Sequence, residues 1–215
     1  MKSGAVLKTA MVALLGGVVF SGPANAQDVC TFEDWAWHSE EARAKAYKTV
    51  RTTRDRLTPA QHHPTLPCSI CREDQTDVRL SNGAKVTVCK FIAFDTHGAL
   101  EEAIEVGFPI ETLKGYRVGR TRGPLDDRGL RTVYSNHSYG LAVDVNSEAN
   151  GLYDRCVSWS PKCRLRHGGE WDPDNPLSVT RGSVLYDALT NRGFHWGGEL
   201  AGRQKDFMHF SLTGD

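Results

Sequence analysis

The sequence lacks a charge imbalance: 26 lysines and arginines stand against 26 aspartates and glutamates. Nucleic-acid surfaces need a basic excess, so this balance offers no nucleic-acid partner. Internal repeats and low-complexity linkers are also missing. One apolar run exists, from Ala10 to Phe20, and it is too short to be read as a membrane span. It follows Lys2 and Lys8 and precedes Ala24-Asn25-Ala26, the small-x-small pattern of a signal-peptidase site. Residues 1–26 are therefore read as a signal peptide, with an uncleaved amino-terminal anchor as the alternative. Their removal leaves 189 residues with 24 basic and 26 acidic side chains, an ordinary size for a single domain over 27–215. That mature chain is expected to be periplasmic or secreted, monomeric and without a membrane span.

Six cysteines remain: Cys30, Cys68, Cys71, Cys89, Cys156 and Cys163. An even number in an exported chain points to disulfides. Cys156 and Cys163 flank a loop holding Trp159, Ser160 and Pro161 and form the best single pair, while the pairing of the other four stays open. Cys68-Ser69-Ile70-Cys71 could be half of a zinc knuckle or a redox CxxC, but no second CxxC follows it. Bridges are the expectation.

Periodicity gives the elements. Ser39 to about Leu57 is rich in Ala, Glu, Lys and Arg, with Ala42, Ala46, Tyr47 and Val50 near helical spacing, and predicts a helix ended by Thr58-Pro59. His62-His63-Pro64 reads as a loop. Val78 and Leu80, the Asn82-Gly83 turn, then Val86 and Val88 predict a β-hairpin. A helix is predicted from about Thr96 to Val106, closed by Gly107, and another from Arg181 to Arg192, closed by Gly193. A second hairpin-like region starts at Gly115-Tyr116-Arg117, and Arg120 to Arg131 reads as a charged loop. Leu141 to Asn146 predicts a strand with Leu141, Val143 and Val145 on the core face and Ala142, Asp144 and Asn146 on the other. A closing strand begins near Phe207. Few helices and several short strands without regular alternation indicate an α+β domain around a mainly antiparallel sheet with flanking helices.

Two stretches carry the chemistry: SNHSYGLAVD at Ser135 to Asp144, and DFMHF at Asp206 to Phe210. A hydrolytic zinc takes three protein ligands and keeps one position for water. Six residues separate His137 from Asp144, a spacing that fits a turn carrying the histidine into a strand carrying the aspartate, with Gly140 easing the bend. His209 is the best third ligand, because an acid, Asp206, stands three positions before it and could serve as general base. Residues i and i+3 of a regular strand face opposite sides. Asp206 and His209 therefore converge only if a turn or distortion lies at Phe207-Met208, and Asp206 is expected on the loop before the strand.

The pattern S-x-H-x-x-G-x-A-x-D, then GFHWGG at Gly193 to Gly198, then D-x-x-H-F, resembles the zinc D-alanyl-D-alanine carboxypeptidases and L-alanyl-D-glutamate endopeptidases of bacterial cell walls. The resemblance covers about Tyr116 to Leu212, so 111–215 is read as the catalytic core and 27–110 as a divergent cysteine-containing part. It implies the hedgehog/DD-peptidase fold, disulfide-stabilised here, and one zinc ion on His137, Asp144 and His209 with Asp206 as base. It also implies a substrate-holding arginine before the first histidine. Arg117 and Arg120 are both in range, with Arg120 slightly favoured. Ser135 is a candidate for hydrogen bonding substrate or for capping a turn. His195 is a candidate for oxyanion stabilisation or for a place behind the ligands, against a plain exposed histidine, and Trp196 for a cleft wall or core residue. The Cys156 to Asn175 loop departs from the pattern and reads as a cleft rim or a disulfide-held ornament.

The expected function is hydrolysis of peptide bonds in peptidoglycan stem peptides by metal-activated water. A non-catalytic zinc-containing wall-binding or signalling module on the same fold is the alternative, and a fourth protein ligand such as His195 would be its mark.

Overall fold

The computed structural model describes residues 28–214, so the signal-peptide reading of 1–26 lies outside the described residues. The first element is a strand where alternation is strongest: β1 (Val29–His38) turns Cys30, Phe32, Asp34 and Ala36 inward. β2 (Arg43–Thr53) folds back on it as a long antiparallel hairpin, with a bulge between Asp34 and Ala36. This corrects the helix expected from Ser39 to Leu57. Ala42 and Ala46, two of the residues at helical spacing, have φ of 49° and 56°, which no right-handed helix admits. Tyr47 is 69% exposed, so the supposed apolar stripe buries little. Helix propensity here yields to pairing with β1, a buried strand, and to the β-branched run around Thr49, Val50, Thr52 and Thr53.

The hairpin read around Asn82-Gly83 is present as β3 (Gln75–Arg79) and β4 (Lys85–Cys89). α1 (Ala93–Glu105) follows, three residues earlier in its start than the periodicity placed it, and buries Thr96, Ala99, Leu100 and Ala103. The short β5 (Leu113–Lys114) leads to β6 (Gly119–Leu125) and β7 (Arg131–Tyr134). Most of the expected Arg120 to Arg131 loop is thus strand. Its charges sit on a half-exposed face, and the turn itself is only Asp126 to Leu130.

β8 (Ala142–Val145) is the central strand of the second half. Leu141, Val143 and Val145 face the core as expected, but Ala142, Asp144 and Asn146 are buried as well. β9 (Leu152–Asp154) and β10 (Arg164–His167) form a hairpin, and α2 (Val184–Thr190) packs on α1 through Leu185, Ala188 and Leu189. Ser183 caps α2 by accepting from the Tyr186 amide. β11 (His195–Trp196), β12 (Gln204–Asp206) and β13 (His209–Ser211) complete the chain.

Three larger sheets result, ordered β2-β1-β6-β7, β10-β9-β12 and β11-β13-β8-β5, beside the β3-β4 hairpin. Among the described residues all strand pairings are antiparallel except β1 with β6. The architecture is therefore α+β with mostly antiparallel sheets. One apolar core runs from Phe32 through Ile70, Leu100 and Val143 to Phe210. Three disulfides join Cys30 to Cys71, Cys68 to Cys89 and Cys156 to Cys163. Cys68 and Cys71 thus serve separate bridges, one to β4 and one to β1, and do not pair with each other as a redox motif does.

Candidate metal centre

The site is built on β8 and β13. These strands pair antiparallel with His209 directly opposite Asp144, so both side chains leave the sheet on one face. His137 arrives from a 3-10 turn, Asn136–Tyr139, that ends at Gly140 in the left-handed region, φ 68°. A Cβ there would stand 2.0 Å from Gln75 Oε1 and 2.5 Å from the Cys89 amide nitrogen. Gly140 therefore answers both a backbone and a packing demand. Ser138, also buried, pins the turn to β6: its hydroxyl accepts from the Gly119 amide and donates to the Gly119 carbonyl, both at 3.0 Å.

Three ligand-type atoms converge. His137 Nε2 lies 2.9 Å from Asp144 Oδ1 and 3.2 Å from His209 Nδ1, and His209 Nδ1 lies 3.0 Å from Asp144 Oδ1. All three residues are buried. The other nitrogen of His137, Nδ1, is 2.9 Å from the Gly115 carbonyl oxygen. Donation there fixes the tautomer that leaves Nε2 a lone pair, the usual arrangement behind a metal-bound histidine. Two imidazoles and one carboxylate at these separations fit zinc.

Asp206 comes from the neighbouring sheet. It is the last residue of β12, paired with Leu152, and a turn at Phe207-Met208 separates it from His209 at the head of β13. The required distortion is there; the expected loop position is not, since Asp206 ends a strand of its own. Its Oδ1 is shielded from solvent and has no hydrogen-bond partner among the described residues. Burial, opposed by the His209 charge, pushes its carboxyl up to about 7.

The turn is held by aromatics. Phe207 stacks on Trp171 with centroids 4.2 Å apart and planes 9° from parallel, and Trp159 meets it edge-on at 5.4 Å. The Phe207 amide donates to Gly151, and its carbonyl accepts from Trp196 Nε1 at 2.8 Å. The Trp171 ring nitrogen in turn donates to the Val179 carbonyl at 2.8 Å. The Cys156 to Asn175 loop is therefore neither a free ornament nor only a rim: it buttresses the bend between Asp206 and His209. Trp196 is a buried wall of that buttress.

The two arginines differ. Arg117 Nη2 donates to Asp144 Oδ2 at 3.0 Å, holding the carboxylate oxygen that does not face the histidines. Arg120 donates instead to Asp34 Oδ2 on β1, at 3.2 Å, away from the cluster. Burial alone would raise the Asp144 carboxyl; His137, His209 and Arg117 hold it well below its usual range. Burial drives His137 down to about 4, whereas Asp144 and Asp206 outweigh burial at His209 and raise it.

Ser135 stands just before the 3-10 turn, and its side chain makes no capping bond. His195 is exposed on β11 opposite Ser211 and is not among the clustered ligand groups. A second grouping, Cys30, Cys71 and Glu73, is a disulfide beside a carboxylate that accepts from Thr31. The sequence reading missed Gly115, Ser138 and Trp171. Their roles lie in a carbonyl, a hydroxyl bridge and a ring stack, for which one sequence carries no spacing signal.

Residues 128–212 match the family model described as D-alanyl-D-alanine carboxypeptidase. The match supports the zinc D-alanyl-D-alanine peptidase resemblance read from the motifs, and with it a peptidase of peptidoglycan in general. It spans His137, Asp144, Asp206 and His209; Arg117 and the β1–β2 hairpin lie outside it. No curated protein and no solved structure matches the chain.

Proposed function

We propose that the chain is an exported zinc peptidase that cleaves stem peptides of peptidoglycan, at a terminal D-alanyl-D-alanine or an L-alanyl-D-glutamate bond. The observation that carries this reading is the convergence of His137 Nε2, Asp144 Oδ1 and His209 Nδ1 beside a shielded, unpartnered Asp206 oxygen. Zinc held by these three would supply Lewis acidity toward the scissile carbonyl and toward water. Asp206, its carboxyl lifted by burial toward neutral pH, takes the proton of the attacking water and returns it to the leaving amine. Arg117 keeps one N–H on Asp144 while its side chain is 42% exposed, so its free N–H groups can hold the substrate carbonyl or carboxylate. That geometry moves the preference from Arg120 to Arg117. The wall-binding alternative would use a fourth protein ligand, and among the described residues His195 does not stand with the cluster.

The disulfides fit an oxidising compartment, and among the described residues no helix is long and apolar enough to cross a membrane. Incubation of the zinc-loaded protein with purified muropeptides, followed by mass spectrometry, is expected to show released amino acids or peptides. Asp206→Asn should bind zinc normally yet lose roughly 10²-fold or more in rate, while His137→Ala should lose the zinc as well. Undiminished hydrolysis by Asp206→Asn would remove the base from the mechanism.

A further inference from the structure

A cavity of about 550 Å³, within the size range of ligand sites, is lined by residues of the β1–β2 hairpin together with Arg72, Tyr116, Arg117 and Val118. Arg117 lines this cavity and its Nη2 also bonds Asp144 of the His137–Asp144–His209 cluster, so one residue borders both. Trp35 and Tyr47 form its aromatic wall, with ring centroids 6.3 Å apart and planes tilted by 31°. Tyr47 is 69% exposed, a large solvent contact for an aromatic ring. Glu33 and Arg72 line the same cavity and are both exposed. Neither makes a hydrogen bond or ion pair with another described residue, although most acidic and basic side chains on this hairpin and its turn, such as Glu41, Arg43 and Lys45, are paired. One unpaired anion and one unpaired cation lining the same cavity as an aromatic pair suit a ligand that carries both charges on an apolar stem. A neutral saccharide would use the rings and leave both charges idle.

We propose that this groove is the extended substrate subsite of the chain, and that it receives a peptide bearing a free carboxylate, held by Arg72, and a free ammonium, held by Glu33. Trp35 and Tyr47 cover the aliphatic part between them, and the backbone then passes Arg117 into the metal cluster. The inference rests on the peptidase reading above. It adds that selection is made by residues of the amino-terminal hairpin, outside the segment that matches the family.

The test uses the zinc-loaded full chain carrying Asp206→Asn to prevent turnover, with tryptophan fluorescence as the readout. The probes are the stem pentapeptide L-Ala-γ-D-Glu-L-Lys-D-Ala-D-Ala, its lysine-acetylated form and its glutamate-amidated form. The parent protein is expected to bind the unmodified peptide about tenfold more tightly than either modified one, the scale of one charge-assisted contact at a partly exposed site. Glu33→Gln should erase the preference against acetylation alone, and Arg72→Gln the preference against amidation alone, with zinc content and circular dichroism unchanged. Equal binding of all three peptides, or preferences that survive both substitutions, would overturn the proposal. So would a wall disaccharide without stem binding as tightly as the pentapeptide. Hydrolysis without charge preference removes the groove and leaves the peptidase. Charge-selective binding by a protein that hydrolyses no muropeptide does the reverse.

Discussion

A carboxylate shielded from water is costly to ionise, and at Asp206 that cost acts on stability. In the metal-free protein its folded pKa of about 7 lies above the ordinary 3.8, so between those values the folded state binds more protons than the unfolded one. The contribution of this group to stability then falls as pH rises from about 4 to about 7. Metal-free Asp206→Asn should therefore be more stable than the parent at pH 8, by roughly 1–3 kcal/mol, and should not differ appreciably near pH 3. Urea denaturation at the two pH values checks this; equal midpoints at pH 8 would show that the ionised carboxylate is hydrated after all. The clustering of His137, Asp144 and His209 was legible because a three-ligand metal site calls for those residue types. Arg117 and Arg120 were not separable in the sequence. Both are charged and three positions apart, and what divides them is Asp34, a buried partner 86 residues from Arg120.

At the scale of elements, the bend between β12 and β13 decides whether Asp206 and His209 meet. Strand alternation alone required a distortion at Phe207-Met208. The means of holding it, Trp171 from a loop some 36 residues earlier, could be read only in three dimensions. Trp171→Ala should keep one zinc per chain but lower the hydrolysis rate roughly 10- to 100-fold, because a small misplacement of a catalytic group is costly. Trp171→Phe should restore most of it. Rates measured beside zinc titrations separate this from simple unfolding. The same lesson in reverse applies to β2. Its alanines, lysines and arginines favour a helix locally, yet a buried β1 edge and a run of threonines and valine outweigh that weak preference. Elements with their own apolar face, α1, α2, β8 and the β3-β4 hairpin, were legible for the opposite reason: local pattern and tertiary burial agree.

The whole molecule is tied by two interleaved bridges in its amino-terminal half and one short bridge in the other. With sequence separations of 41, 21 and 7, loop-closure entropy assigns about 4, 3 and 2 kcal/mol to Cys30–Cys71, Cys68–Cys89 and Cys156–Cys163. Paired Cys→Ala removal should follow that order in thermal midpoint, with Cys30/Cys71 the most destabilising; a larger loss from Cys156/Cys163 would contradict the ranking. The pairing itself has an order in time. A chain that emerges amino terminus first presents Cys68 before Cys71, so an oxidant acting in order of appearance joins Cys30 to Cys68 and leaves Cys71 for Cys89. Both bonds are then wrong, and each must be exchanged before β1 can be tied to the Cys71 segment. Under such an oxidant, maturation of this chain calls for an isomerase as well, and expression without one is expected to accumulate the isomer whose β1–β2 hairpin is anchored to the wrong cysteine.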